Sequence, residues 1–140
     1  MTRAEYILGI DYGSRRVGVA LAHYIARLPK PFATLANDEK LIETLQDIIQ
    51  REGVQRVVVG VPRSMNGDVT AQTGVCEAFA QQLSKVVAVP VETTDETLSS
   101  VEAEALLTGR KPYEKSQVDA LAASLILERY FLELAQEVYS

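Results

Sequence analysis

Apolar and polar positions change their period several times along this chain, and each change predicts an element. Tyr6–Ile10 and Val17–Ala22 are short apolar runs joined by a polar, glycine-bearing turn, which predicts an antiparallel hairpin. Pro29 and Pro31 interrupt the chain before a short third strand, Phe32–Leu35. From there Leu41, Ile42, Leu45, Ile48 and Ile49 follow helical spacing, with Asp38 placed to cap the helix and Gly53 to end it. Val57-Val58-Val59-Gly60-Val61 shows no alternation, as expected of a strand covered on both faces. Asn66-Gly67 marks a turn within the loop Pro62–Asp68. Val75, Phe79 and Leu83 then predict a second helix, and Val86–Val91 a fifth strand. Pro90 puts that strand at a sheet edge or makes it stop there. Two further helices, about Ser100–Leu107 and Val118–Val138, are separated by Gly109 and Pro112.

The order β-β-β-α-β-α-β-α-α predicts an α/β fold. Three antiparallel strands form a meander, two parallel strands complete a five-stranded mixed sheet, and helices cover both faces. Ligands of such sheets gather at the carboxyl ends of the parallel strands. Asp11 closes the first strand, Pro62-Arg63 follow the fourth, and Asp95-Glu96 lie a few residues beyond the fifth. These positions converge on one rim.

Composition narrows the function classes. At 140 residues, with no repeat or linker-like stretch, the chain is expected to form one domain over residues 1–140 with a sizeable core. No segment approaches the roughly 20 apolar residues of a membrane span, and Met1–Glu5 lacks the start of a signal peptide. Cys76 is the only cysteine and His23 the only histidine, which excludes an intrachain disulfide and argues against a zinc site. A cytosolic protein is expected. The net charge of −5 argues against a broad basic surface, but it leaves room for a local one. Arg15, Arg16, Arg63, Arg110, Lys111 and Lys115 all fall in predicted loops or at their edges.

The chemistry-bearing stretch is Gly9-Ile10-Asp11-Tyr12-Gly13-Ser14-Arg15-Arg16-Val17-Gly18-Val19-Ala20. It sets a carboxylate at the end of an apolar strand, where a charge is costly unless paired, hydrated or bound to a cation. Two arginines follow in the turn, so the hairpin mouth suits metal and phosphate. Gly13 is placed where a tight hairpin takes a positive φ. The alternative is structural, with Asp11 capping its own turn through an Asx bond.

Four motifs in order give the chain its resemblance to a family. They are Gly9–Ala20, then Val59-Gly60-Val61-Pro62 with Met65-Asn66-Gly67, then Pro90-Val91 with Asp95-Glu96, and finally Val118-Asp119-Ala120-Leu121-Ala122-Ala123. Together they resemble the YqgF/RuvX family of the ribonuclease H-like superfamily, described as Holliday junction resolvases and as pre-16S ribosomal RNA nucleases. The resemblance covers nearly the whole chain. It implies a ribonuclease H-like fold and a catalytic, metal-binding set of Asp11, Glu96 and Asp119 holding Mg²⁺ or Mn²⁺. Two divalent cations about 4 Å apart can stabilise both the attacking and the leaving oxygen of a phosphodiester. Arg15, Arg16, Arg63 and Lys115 are then expected to contact substrate phosphates.

Each residue also has a structural reading. Asp119 lies three residues after Ser116, as in a capping box. Asp95 and Glu96 can be solvated loop carboxylates, and His23 suits a strand end better than a general base. The chain departs from the family pattern at Thr97, where an arginine commonly follows Asp-Glu, and at Ala22-His23, where Ser-Asp is common. The leading expectation is a metal-dependent endonuclease on structured nucleic acid, processing the 5′ end of pre-16S ribosomal RNA. Resolution of four-way DNA junctions is the near alternative, and it requires a homodimer. A phosphate-binding ATPase is disfavoured because such enzymes close two domains around the nucleotide. A non-cleaving RNA- or protein-binding module is the third class, with Thr97 as a mark of decay.

Overall fold

The computed structural model describes residues 5–64, 66, 68–96 and 115–139. In chain order the elements are β1 (Tyr6–Tyr12), β2 (Arg16–His23), β3 (Lys30–Ala36), α1 (Leu41–Glu52), β4 (Val54–Pro62), α2 (Ala71–Ser84), β5 (Val91–Glu96) and α3 (Lys115–Tyr139). The five strands form one sheet in the order β3-β2-β1-β4-β5. β1, β2 and β3 pair antiparallel, while β4 lies parallel to both β1 and β5. The expected mixed sheet is thus present. The helix expected over Ser100–Leu107 lies outside the described residues.

Strand periodicity divides the core into two layers. Leu8, Ile10, Val17, Val19, Val57 and Val59 pack with Leu45 and Ile48 of α1 and with Phe79 and Leu83 of α2. Ile7, Ala20, Ala22 and Val58 point the other way, onto Ala123, Ile126, Leu127 and Tyr130 of α3. Each fully buried Leu, Ile or Val contributes roughly 1.5–3 kcal/mol.

The α3 face of the sheet is built from small residues, and that decides how near the helix lies. A Cβ on Gly9 would sit 2.6 Å from Leu127 Cγ, one on Gly60 2.5 Å from Ile126 Cδ1, and one on Gly18 would collide with the Asp119 carbonyl. The first turns of α3 therefore lie directly on β2. Gly18→Ala should destabilise the protein by about 3 kcal/mol, because the clash is with backbone that cannot yield. Gly74→Ala should instead stabilise it by about 0.5–1 kcal/mol, since α2 leaves open space there. Thermal melts of the two variants check the contrast, and equal melting temperatures would contradict it.

Several boundaries differ from expectation, each for a local reason. The fifth strand begins where its expected span ends. The Pro90 carbonyl accepts from Val57 N–H, and pairing then runs from Val57↔Val91 to Pro62↔Glu96, whereas 86–90 is not strand. Edge position, which Pro90 indicated, lets the polar sequence Val-Glu-Thr-Thr-Asp-Glu serve as strand. Asp95 and Glu96 consequently lie inside β5 rather than beyond it. Asp38 does not cap α1 itself. Its Oδ1 accepts from Lys40 N–H in the turn before the helix, and Lys40 occupies the N-cap position. Gly53 does end α1, at φ 67°.

Candidate active site

Asp11, Glu96 and Asp119 line one cavity of about 240 Å³, together with Tyr12, Gly13, Arg16, Pro62, Gln72 and Cys76. Alternation explains the convergence. Asp11 is two residues beyond Gly9, on the α3 face of β1, and its cross-strand partner is Gly18, the residue on which Asp119 rests. Glu96 shares its face of β5 with Glu92 and Thr94, which bond Tyr130 and Glu133 of α3. It is 7% exposed, and a Cβ on Gly60 would come within 2.6 Å of its Oε2. Asp95, one residue earlier, is exposed and pairs with Arg63 at 2.9 Å. The strand period thus separates Glu96 from Asp95.

The hairpin holds Asp11 differently from an Asx turn. The Gly13 N–H, which such a turn would use, donates to the Arg16 carbonyl at 3.0 Å. Gly13 does not have positive φ, since Gly53 alone among the described glycines does. A Cβ on Gly13 would lie 2.5 Å from the Arg16 carbonyl, so glycine serves close approach rather than handedness. Asn37, which sequence reasoning missed, pins the turn from β3's end: its Nδ2 donates to the Gly13 carbonyl at 2.7 Å and its N–H to that of Arg15 at 2.9 Å.

The site is short of positive charge. Burial, and then the Asp119 carboxylate, push the Asp11 carboxyl up from 3.8 to about 6. Burial also pushes the Cys76 thiol up to about 11, with a Gln72 hydrogen bond opposing and the Glu96 and Asp11 carboxylates reinforcing the shift. Arg16 is the cation in contact, its Nε 2.6 Å from Asp119 Oδ2. The all-oxygen donor set of three carboxylates fits a hard divalent cation. Among the described residues, however, no three His, Cys, Asp or Glu side chains are already gathered as ligands.

The remaining expected residues are dispersed. Arg15 lies exposed in the hairpin turn, and Arg63 lies beside Asp95 rather than in the cavity. Lys115 opens α3, but its side chain, like that of Ser116, lies outside the described residues, as does Thr97. His23 is at the far end of β2, where its Nδ1 accepts from Ile25 and Ala26 N–H at 3.2 and 3.3 Å, a strand-end role. Gln72 and Cys76 were not anticipated. Thr70 and Thr73 form a capping box that starts α2 at the cavity, with Thr73 Oγ1 also donating to the Pro62 carbonyl, and this places Gln72 and Cys76 on its wall.

Known proteins share both the sequence and the fold. The family model described as "RuvX: Holliday junction resolvase" matches residues 5–133. A protein of Chloroflexus aurantiacus named "Putative pre-16S rRNA nuclease" is 42% identical over 131 residues, covering 90% of this chain and 86% of its own. A Methylobacillus flagellatus protein of the same name is 37% identical over 137 residues, 92% of each chain. Among solved structures, Thermus thermophilus RuvC in complex with a Holliday junction superposes with a TM-score of 0.57 at 12% identity, over 94% of this chain and 96% of its own. The fowlpox virus resolvase with its junction DNA gives 0.52 at 12% identity, over 93% and 98%. The fold is ribonuclease H-like, as the sequence resemblance implied.

Proposed function

The chain belongs to the RuvX family, and from that premise we propose that it is a divalent-metal-dependent endonuclease processing the 5′ end of pre-16S ribosomal RNA. The observation that carries the proposal is the convergence of Asp11, Glu96 and Asp119 from three separate elements on one cavity, at a spacing that makes Asp119 raise the Asp11 carboxyl. Clustered carboxylates only cost stability unless a cation uses them. The names of the relatives support precursor 16S RNA as substrate.

Asp11, Glu96 and Asp119 are the residues that would hold Mg²⁺ or Mn²⁺. When bound, the cation supplies charge stabilisation to the attacking and leaving oxygens of the phosphodiester. The protein's own task is positioning. β1 and β5 present their carboxylates from a rigid sheet, α3 closes the third side, and Gln72 adds a neutral hydrogen-bond donor to the wall. Arg15, Arg16, Arg63 and Lys115 contact phosphates along the substrate. Among the described residues no helix is long and apolar enough to cross a membrane. Action on ribosomal precursors places the protein in the cytoplasm.

Arg15→Ala should weaken nucleic-acid binding and flatten its salt dependence by about one unit of slope, with no change in melting temperature. Fluorescence titrations at several salt concentrations check this, and an unchanged slope would place the hairpin away from substrate.

Junction resolution is the second reading, favoured by the family's description and by the junction-bound neighbours. It requires a homodimer with two opposed sites. The deciding experiment offers the protein, with Mg²⁺ or Mn²⁺, single-stranded RNA, a structured pre-16S fragment and a four-way DNA junction, beside Asp11→Asn. Cleavage of the structured RNA, lost in the variant, is expected. Cleavage of the junction alone would select the second reading.

A further inference from the structure

Two depressions meet at Arg16. One is the carboxylate cavity, and the other, of about 250 Å³, lies against Gly13, Ser14, Arg15, Arg16 and Asp119. Gly13, Arg16 and Asp119 line both, so the Arg16–Asp119 ion pair borders each of them. The backbone under Arg16 is fixed by the Gly13 N–H, by its pairing with Ala36 and by Asn37 on the neighbouring carbonyls. Its side chain is not. It is 46% exposed and engages Asp119 through Nε. An ion pair that open is worth little, so it exchanges partners cheaply.

We propose that Arg16 couples cation binding to phosphate binding. It holds Asp119 in the cation-free protein, and it turns to a substrate phosphate in the second depression when a divalent cation takes Asp119. The inference rests on the reading of Asp119 as a cation ligand given above. A guanidinium suits both partners, since carboxylate and phosphate present similar paired acceptors. By linkage, each ligand then tightens the other. Removing Arg16 should therefore act with opposite signs on the two ligands, stronger for the cation alone and weaker for nucleic acid.

The test titrates Mn²⁺ calorimetrically into the full chain without nucleic acid, for the parent, Arg16→Gln and Arg16→Met, with Asp119→Asn alongside. Both Arg16 variants should bind Mn²⁺ about two- to fivefold more tightly than the parent. Anisotropy titrations with a short phosphorothioate RNA should show weaker binding by both, and a smaller gain on adding Ca²⁺ than the parent shows. If either folded variant binds Mn²⁺ no more tightly than the parent while Asp119→Asn loses it, the coupling is overturned and the site reading stands. Mn²⁺ binding that is absent from the parent, or unchanged in Asp119→Asn, overturns the site reading and the coupling with it.

Discussion

Asp11→Asn should abolish cleavage and divalent-cation binding while leaving the metal-free protein more stable than the parent at neutral pH. The native fold raises the Asp11 carboxyl from 3.8 to about 6, first by burial and then through Asp119. Below about pH 3 the carboxyl is protonated in both folded and unfolded chains, and it affects neither. As pH rises from about 3 to about 6 the unfolded chain releases this proton first, so native stability falls. Above about 6 the full loss persists, on the order of 2–3 kcal/mol. Asparagine keeps the shape and removes the charge. Melting curves of parent and variant in EDTA should therefore nearly coincide at about pH 3, and separate by about pH 7 with the variant higher. A variant less stable than the parent at neutral pH would show that the ionised carboxylate supports the fold. Equal Mn²⁺ affinity in both would remove Asp11 from the site.

Asp119 gives the second large effect, because its two readings forecast opposite results. As a cation ligand, its replacement by asparagine should lower cleavage by orders of magnitude and barely move the melting temperature. The lost contact to Arg16 is partly exposed and worth at most about 1 kcal/mol. As a mere capping-box partner of Ser116, its loss should cost roughly 0.5–2 kcal/mol and spare activity. Ser116→Ala should behave in the reverse manner, less stable and near-parental in rate. Single-turnover cleavage beside thermal unfolding separates the cases. A fully active Asp119→Asn protein would leave two carboxylates, too few for the mechanism.

Much of this arrangement was legible in the residues. The glycine-bearing hairpin, the valine-rich strand and the helical spacing of Leu41 to Ile49 each report a pattern that packing preserves. Asp11 stood out because a lone carboxylate closes an apolar run. What escaped was set by partners distant in sequence. Val86–Val89 carries the stronger β-propensity, yet β4 pairs with 91–96, so Glu96 lies within a strand rather than in a loop. The glycine at position 13 is needed for its nearness to Arg16, not for the φ that hairpin turns often demand. Nothing local to Gly18 and Gly60 shows why those positions are small, and only the packed helix explains them. Gln72 reaches the site because the Thr70–Thr73 box starts α2 at the cavity, and no local pattern shows where a helix start will dock.

The most direct test of the nuclease assignment is single-turnover cleavage of an end-labelled pre-16S RNA segment by EDTA-treated protein, with and without added Mn²⁺, beside Glu96→Gln. Discrete internal products should form only with Mn²⁺, and the variant should be slower by orders of magnitude. Cleavage that persists in EDTA, or a Glu96→Gln rate equal to the parent's, would contradict a metal-dependent site built on these three carboxylates.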